Sequence, residues 1–281
     1  MSDRERMLPV SATMTAHGGD VPYYSFPALD AVPFVRHGFS TRLGGVSTGK
    51  YASMNLSFTR GDDPAAVRED FDRFCAVLGF RAEDTVISAQ THTTNLYIAT
   101  GADRGRGITF ERGYTDVDGL ITAEPGVLLC TQYADCVPLF FADPVRRVVA
   151  VSHAGWRGTV AGMARCTVER MHADFGCEPK DIVAGIGPSI GGCCFEVDPP
   201  VTEEFRRMPG FEERFVRPGI GDKAFIDLKA VNRRIMLDAG LTDEHITVSD
   251  LCTKCHPDTF WSHRVCGKDR GSLAGFIALT D

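Results

Sequence analysis

The stretch ADCVPLFFADPVRRVVAVSHAGWRG (134–158) restricts what this chain can fold into more than any other segment. Two apolar runs, 136–142 and 147–153, flank Asp143-Pro144. Proline sets φ for position i+1 of a β-turn and aspartate is favoured at position i, so the pattern predicts an antiparallel hairpin. With the turn centred on Pro144-Val145, Asp143 faces Arg146 and Cys136 faces His153. Directly opposed residues place their Cβ atoms about 4.5–5.5 Å apart on one face of the sheet. The predicted register therefore sets a thiol beside an imidazole at a strand end, where functional groups tend to sit.

Such a pair has two chemical uses. The imidazole can hold the thiolate as a nucleophile, or both can ligate zinc through sulfur and nitrogen. The structural alternative is a buried cysteine and a hydrogen-bonded histidine without chemistry. The adjoining AGWRGTVAGM places Gly155 and Gly158 where a strand passes into a helix. Free backbone N–H groups there, with Arg157, could bind an anion; a plain strand–helix turn is the alternative.

The remaining chain reads as strands outnumbering helices. Strands are predicted at 33–40, 84–89, 94–100, 117–122, 126–132, 181–188, 193–198, 245–250 and 272–279, and helices at 64–79, 158–175, after Pro199-Pro200, and at 227–239 with Asp227 as N-cap. Residues 41–58 read as a long ordered loop. Much of the pairing is local, which predicts an α+β fold with mixed sheets covered by a few helices. No linker divides the chain, so a polar tail (1–20) followed by a single domain (21–281) is expected. The 281 residues carry a net charge of -7, which argues against a nucleic-acid partner. No apolar run is long enough to span a bilayer and no export signal is evident, so a cytoplasmic protein without a membrane partner is expected. Its ten cysteines are then expected to be mostly reduced.

HAGWRGTVAG, ADCVPLFFAD, QTHT (90–93), FSTRLGGVSTGKYASMNLS (39–57), DVDGLIT (116–122), IGPSIGGCCFEV (186–197) and DLCTKCHPDTFWSHR (250–264) together resemble the YfiH family. That family is also called the multicopper polyphenol oxidase (laccase-domain) or purine nucleoside phosphorylase family. The resemblance covers roughly residues 30–280. It implies a single-domain, four-layer α/β/β/α sandwich, distantly similar to a toxin deamidase with a Cys-His dyad. It implies a zinc site on His92, Cys136 and His153, which are also the implied catalytic residues. It implies phosphorolysis of adenosine, inosine and methylthioadenosine together with adenosine deamination, a transferase and a hydrolase activity on one scaffold. Purine nucleoside and phosphate are then the small-molecule partners, and a monomer or weak homodimer is expected. Two further activities attach to the resemblance: a peptidoglycan-editing amide hydrolase, here with Cys136 as nucleophile and His153 as base, and a polyphenol oxidase using Cu2+.

Three protein ligands leave a fourth position open, as in catalytic zinc sites. A conventional multicopper oxidase needs many paired histidines, whereas this chain has eight and no His-x-His. Arg42, Asn55 and Arg157 are the expected substrate-binding residues, with Gln90 and Asp118 as further polar contacts and Glu196 near the site. CTKCH (252–256) matches the c-type haem pattern, but that attachment wants an exported chain. A second zinc site on Cys252, Cys255, His256 and Cys266 lacks a second C-x-x-C, so structural thiols are the favoured reading. The family's C-terminal arginines correspond to Ser262–Cys266 and Arg270-Gly271-Ser272; Arg264 is kept, while the second arginine and the later one read as replaced.

Overall fold

The strands Val137–Asp143 and Val148–Ala154 are buried along their whole length, so both of their faces need an apolar layer. Side chains alternate across a strand. Val137, Leu139, Phe141, Val148 and Ala150 enter one core, and Phe140, Ala142, Val149 and Val151 enter another. The computed structural model describes residues 8–281 and shows how these layers are filled.

The hairpin lies at the centre of a six-stranded sheet, in the order Ile246–Val248, Val183–Ile186, Val137–Asp143, Val148–Ala154, Gly119–Thr122, Leu96–Ile98. A second six-stranded sheet runs Thr15–His17, Tyr23–Ser25, Val35–Ser40, Leu273–Leu279, Leu128–Tyr133, Thr85–Ile87. Both are mixed: the 183–186/246–248, 96–98/119–122 and 85–87/128–133 pairs are parallel, and the others antiparallel. The sheets face each other across a core containing Phe39, Leu129, Ile277, Phe140 and Val151. Helices Met163–Phe175 and Leu228–Asp238 cover the outer face of the first sheet through Met163, Val168, Met171, Val231 and Ile235. Helix Pro64–Val77 covers the outer face of the second through Val67, Phe71, Phe74 and Cys75. The layer order is helix, sheet, sheet, helix, as expected. A small sheet of Glu196–Val197, Ala224–Ile226 and Val216–Pro218 sits to one side. No helix among the described residues is long and apolar enough to cross a membrane.

Three sequence expectations need correction. The turn is four residues long, Pro144–Arg147, because the Asp143 carboxylate accepts from the amides of both Val145 and Arg146, and Arg147 takes φ 54°. Val137 pairs with Ala154 and Pro138 with His153, so Cys136 lies diagonal to His153 rather than opposite it. The shift is an even one along the strand, so both side chains stay on the same face. The expected helix 158–175 is two helices, Trp156–Val160 and Met163–Phe175, broken where Gly162 adopts φ 82°. Within the expected tail 1–20, the described residues are docked: Thr15–His17 pairs with Tyr23–Ser25, and Ser11 and Ala12 bond the Asp250 carboxylate. Residues 1–7 lie outside the described residues.

Phe140 is fully buried between the sheets, 5.4 Å from Phe26 and 6.2 Å from His37 by ring centroids. Phe140→Ala is expected to cost about 3–5 kcal/mol in urea unfolding. Val145→Ala, in the exposed turn, is expected to leave the midpoint essentially unchanged.

Candidate active site

The site is built at one end of the gap between the two sheets. Gly119 pairs with Ser152, so the residue before it, Asp118, stands beside His153, whose amide donates to the Asp118 carbonyl at 2.7 Å. The Asp118 side chain is fully buried on the same side of the sheet as Leu120. One carboxylate oxygen accepts from His153 Nδ1 at 2.9 Å and from the His92 amide at 3.0 Å. The other accepts from the Thr91 and Thr93 amides and from Thr93 Oγ1 at 2.9–3.0 Å. Burial alone would raise this carboxyl; the His153 and backbone hydrogen bonds override it and hold it at about 2. As an acceptor-only carboxylate, Asp118 fixes the proton of His153 on Nδ1 and leaves Nε2 for Cys136.

His92, Cys136 and His153 converge, with one potential ligand atom from each within 4.8 Å of the others. Cys136 Sγ lies 3.8 Å from His92 Nε2, and the two imidazoles meet edge to face at 4.9 Å. Burial would raise the Cys136 thiol, but His153 first and His92 second stabilise its anion and lower it to about 6. Burial would likewise lower His153; the Cys136 thiolate and Asp118 raise it to about 9. Without a metal, the pair is therefore a thiolate beside an imidazolium near neutral pH.

Backbone conformation is specialised here. His92 has φ 70° and Asp135 has φ 85°, values that non-glycine residues adopt infrequently and that gather at functional sites. Asp135 is held by Thr253 Oγ1 and the Arg264 amide, both donating at 2.6 Å to its carboxylate. Gly155 closes the trio: a Cβ there would stand 2.6 Å from His92 Cδ2 and 3.1 Å from Cys136 Sγ. Its role is close approach. The strand–helix turn it occupies opens a helix only five residues long.

A cavity of about 460 Å3 opens over the trio. Tyr133, Trp156, Ile190 and Phe195 give it apolar surface, and Arg60, Arg112, Arg264 and Arg270 give it positive charge. Arg270 is 6% exposed, and its Nε has no hydrogen-bond partner. Burial and the neighbouring Arg60 lower its guanidinium to about 10. Arg270 belongs to the segment in which the family's later arginine reads as replaced, and it lines the cavity.

The expected substrate residues Arg42, Asn55 and Arg157 are not among those lining this cavity. Arg42 stacks over Trp261 at 3.6 Å and donates to the Pro257 and Ala52 carbonyls. Asn55 is fully buried; it donates to Asp62 and accepts from the Ser272 amide, bracing the segments that carry Arg60 and Arg270. Arg157 is exposed and packs over Trp156, outside the cavity lining. Gln90 does line the cavity, with its amide paired to the Gln132 backbone at 2.7 Å. Asp118 is an orienting group beneath the site. Glu196 offers its carbonyl, not its carboxylate, to Arg264. No short motif marks Arg60 or Arg112; only the fold brings them in.

A second group of potential metal ligands is Cys193, Cys194, Cys252 and Cys255, a four-cysteine cluster that could bind a metal. His256 and Cys266, paired in sequence with Cys252 and Cys255, are not part of it; the partners come from Cys193-Cys194, far away along the chain.

Residues 36–280 match the family described as multi-copper polyphenol oxidoreductase laccase. The purine nucleoside phosphorylase YlmD of Bacillus subtilis is 37% identical over 245 residues, spanning 87% of this chain and 88% of the relative. An adenosine deaminase, RL5, from an unknown prokaryotic organism is 35% identical, spanning 83% of this chain and 90% of the relative. The crystal structure of YlmD from Geobacillus stearothermophilus superposes with a TM-score of 0.89 at 34% identity, covering 95% of this chain and 99% of that one.

Two outcomes follow from the geometry. In metal-free protein, alkylation of Cys136 is expected to reach half its maximal rate near pH 6, because the lowered thiol keeps the thiolate until that pH. His153→Ala is expected to move that midpoint up toward ~8.5, the ordinary cysteine value, as read by peptide mass spectrometry of the Cys136 adduct. Gly155→Ala is expected to push His92 away from Cys136 and to lower zinc affinity while circular dichroism stays native.

Proposed function

This chain belongs to the multi-copper polyphenol oxidoreductase laccase family, and we propose from that premise that it is a purine nucleoside phosphorylase with a metal held by His92, Cys136 and His153. The observation that carries the phosphorolytic reading is the buried, unpartnered Nε of Arg270 beside Arg60, in the cavity that holds the trio. Two adjacent guanidiniums, one of them desolvated, call for an anion, and a phosphate meets that need with paired acceptor oxygens. The cavity volume suits a ligand of nucleoside size.

The donor set fits zinc: two imidazoles and a thiolate converge, and a buried carboxylate on Nδ1 of His153 supplies the outer partner that metal-binding histidines commonly have. Bound there, zinc would act as a Lewis acid with one coordination position left open by three protein ligands. Arg60 and Arg270 hold and orient phosphate for attack on C1′ of the ribose. The new C1′–O bond forms as the C1′–N9 bond breaks, and the electron pair leaves with the purine. Trp156 and Phe195 offer planar surface against the base and exclude water.

A second reading uses the same residues differently. The lowered Cys136 thiol beside His153 is also what an amide hydrolase with a cysteine nucleophile needs. Activity lost on chelation and restored by zinc favours the metal reading; activity that survives chelation and stops on alkylation favours the nucleophile. Phenol oxidation dependent on copper loading is the corresponding outcome for an oxidase.

The test incubates the zinc-loaded protein with adenosine, with and without phosphate, and follows products by chromatography. Adenine released only with phosphate, and lost in Cys136→Ala, is the expected result; inosine formed without phosphate identifies deamination, the activity named for RL5. Arg270→Ala is expected to raise KM for phosphate by about 10-fold or more, the loss of one charge-assisted contact of ~1.5–3 kcal/mol. Arg157→Ala, outside the cavity, is expected to leave that KM unchanged.

A further inference from the structure

Outside the active site, two separate segments bring four thiols to one point. Cys193 and Cys194 lie in the loop after strand Val183–Ile186, and Cys252 and Cys255 in the loop after its parallel neighbour Ile246–Val248. All four sulfurs lie within 4.8 Å of one another. Cys255 Sγ is 3.7 Å from that of Cys193 and 3.5 Å from that of Cys194. Four sulfurs bound tetrahedrally at ~2.3 Å from zinc lie about 3.8 Å apart. The observed spacings are those of a zinc-thiolate tetrahedron, and they exceed the ~2.05 Å of a disulfide.

The surroundings suit that charge. The Gly191 amide donates to Cys252 Sγ at 3.2 Å, a contact of the kind that orients a thiolate ligand. A Cβ on Gly191 would come within 3.1 Å of Cys193 Sγ and 3.3 Å of Cys252 Cβ, so a side chain there would press on both cysteines and glycine eases the close approach. The buried Lys229 ammonium donates to the Ser249 and Leu251 carbonyls, next to Cys252. Zinc with four thiolates keeps a net negative charge, which this ammonium offsets.

We propose that Cys193, Cys194, Cys252 and Cys255 form a structural zinc site that staples these two loops together. With four protein ligands the site is closed to substrate, unlike the three-ligand trio. Four thiols release their protons as the ion binds. The clamp supports the cavity wall from behind: Ile190 and Phe195 flank the first cysteine pair, and Thr253, between the second pair, bonds Asp135 next to Cys136.

The experiment measures zinc per chain by elemental analysis of full-length protein purified with reductant. A His92→Ala/His153→Ala variant, which removes the trio, is expected to keep about one zinc per chain and, with cobalt substituted, to give the thiolate charge-transfer and d–d bands of a tetrahedral site. Adding Cys255→Ser, an exposed position, is expected to abolish that metal and to lower Tm. A second measurement on wild type covers loss of folding in the variants: zinc is expected to protect these four thiols from alkylation, mapped by peptide mass. Zinc-independent labelling, a disulfide at Cys255 in the reduced preparation, or no zinc in the trio-deleted variant with native circular dichroism would each overturn the proposal.

Discussion

The buried carboxylate of Asp118 is the interaction on which the rest of the site depends. Taking a carboxylate out of water costs several kcal/mol unless its lone pairs are filled. Asp118 offsets that cost by accepting five hydrogen bonds, from the Thr91, His92 and Thr93 amides, Thr93 Oγ1 and His153 Nδ1. Each bond also does positional work. Three successive amides wrapped around one carboxylate hold the 91–93 turn and its positive-φ His92, and the bond to His153 fixes both ring orientation and tautomer. Two of the three residues in the trio are thus set by a fully buried group outside the cavity lining.

The layered fold explains where this group can exist. Both central strands are buried on both faces, so the only polar outlet along them is at their ends, where the inter-sheet core runs out. Cys136 and His153 lie at those ends, on the face that packs toward the second sheet. Loops outside these strands then deliver the positive charge. Leu273–Leu279 begins just after Arg270, and Asn55 ties the Ser272 amide to Asp62, so both arginine-bearing segments are set by one buried amide. Cys136 and His153 come from the ends of the first sheet's central strands and His92 from the loop that joins the two sheets, while Arg60, Arg112, Arg264 and Arg270 come from loops and a short helix, so the cavity forms where the sheet ends and their loops meet.

Much of this was legible in the sequence, and the failures share a physical reason. The hairpin, the shared face of Cys136 and His153, and the helical and strand segments depend on local pattern. The register was off by two residues because the Asp143 side chain builds a longer turn than proline alone would suggest. His92 came from family resemblance, and Asp118 was read as a candidate polar contact; its hydrogen bond to His153 depends on the pairing of 119–122 with 148–154, strands separated by two others along the chain. Arg42, Asn55 and Arg157 stand in recognisable motifs and lie outside the cavity lining, whereas Arg60 and Arg112 line it and stand in no motif at all. The cysteine cluster shows the same limit: CTKCH was visible, but its partners were 193 and 194, joined through a parallel strand pair.

The most direct test of this account is the zinc affinity of Asp118→Asn, by competition with a chromophoric chelator, beside wild type. The substitution keeps the shape of the side chain and removes the charge that orders His92 and His153. If Asp118 organises the trio, zinc affinity falls about 10–100-fold while circular dichroism remains native. Wild-type affinity in the variant would contradict the account, and would mean that the trio is positioned by the sheets alone.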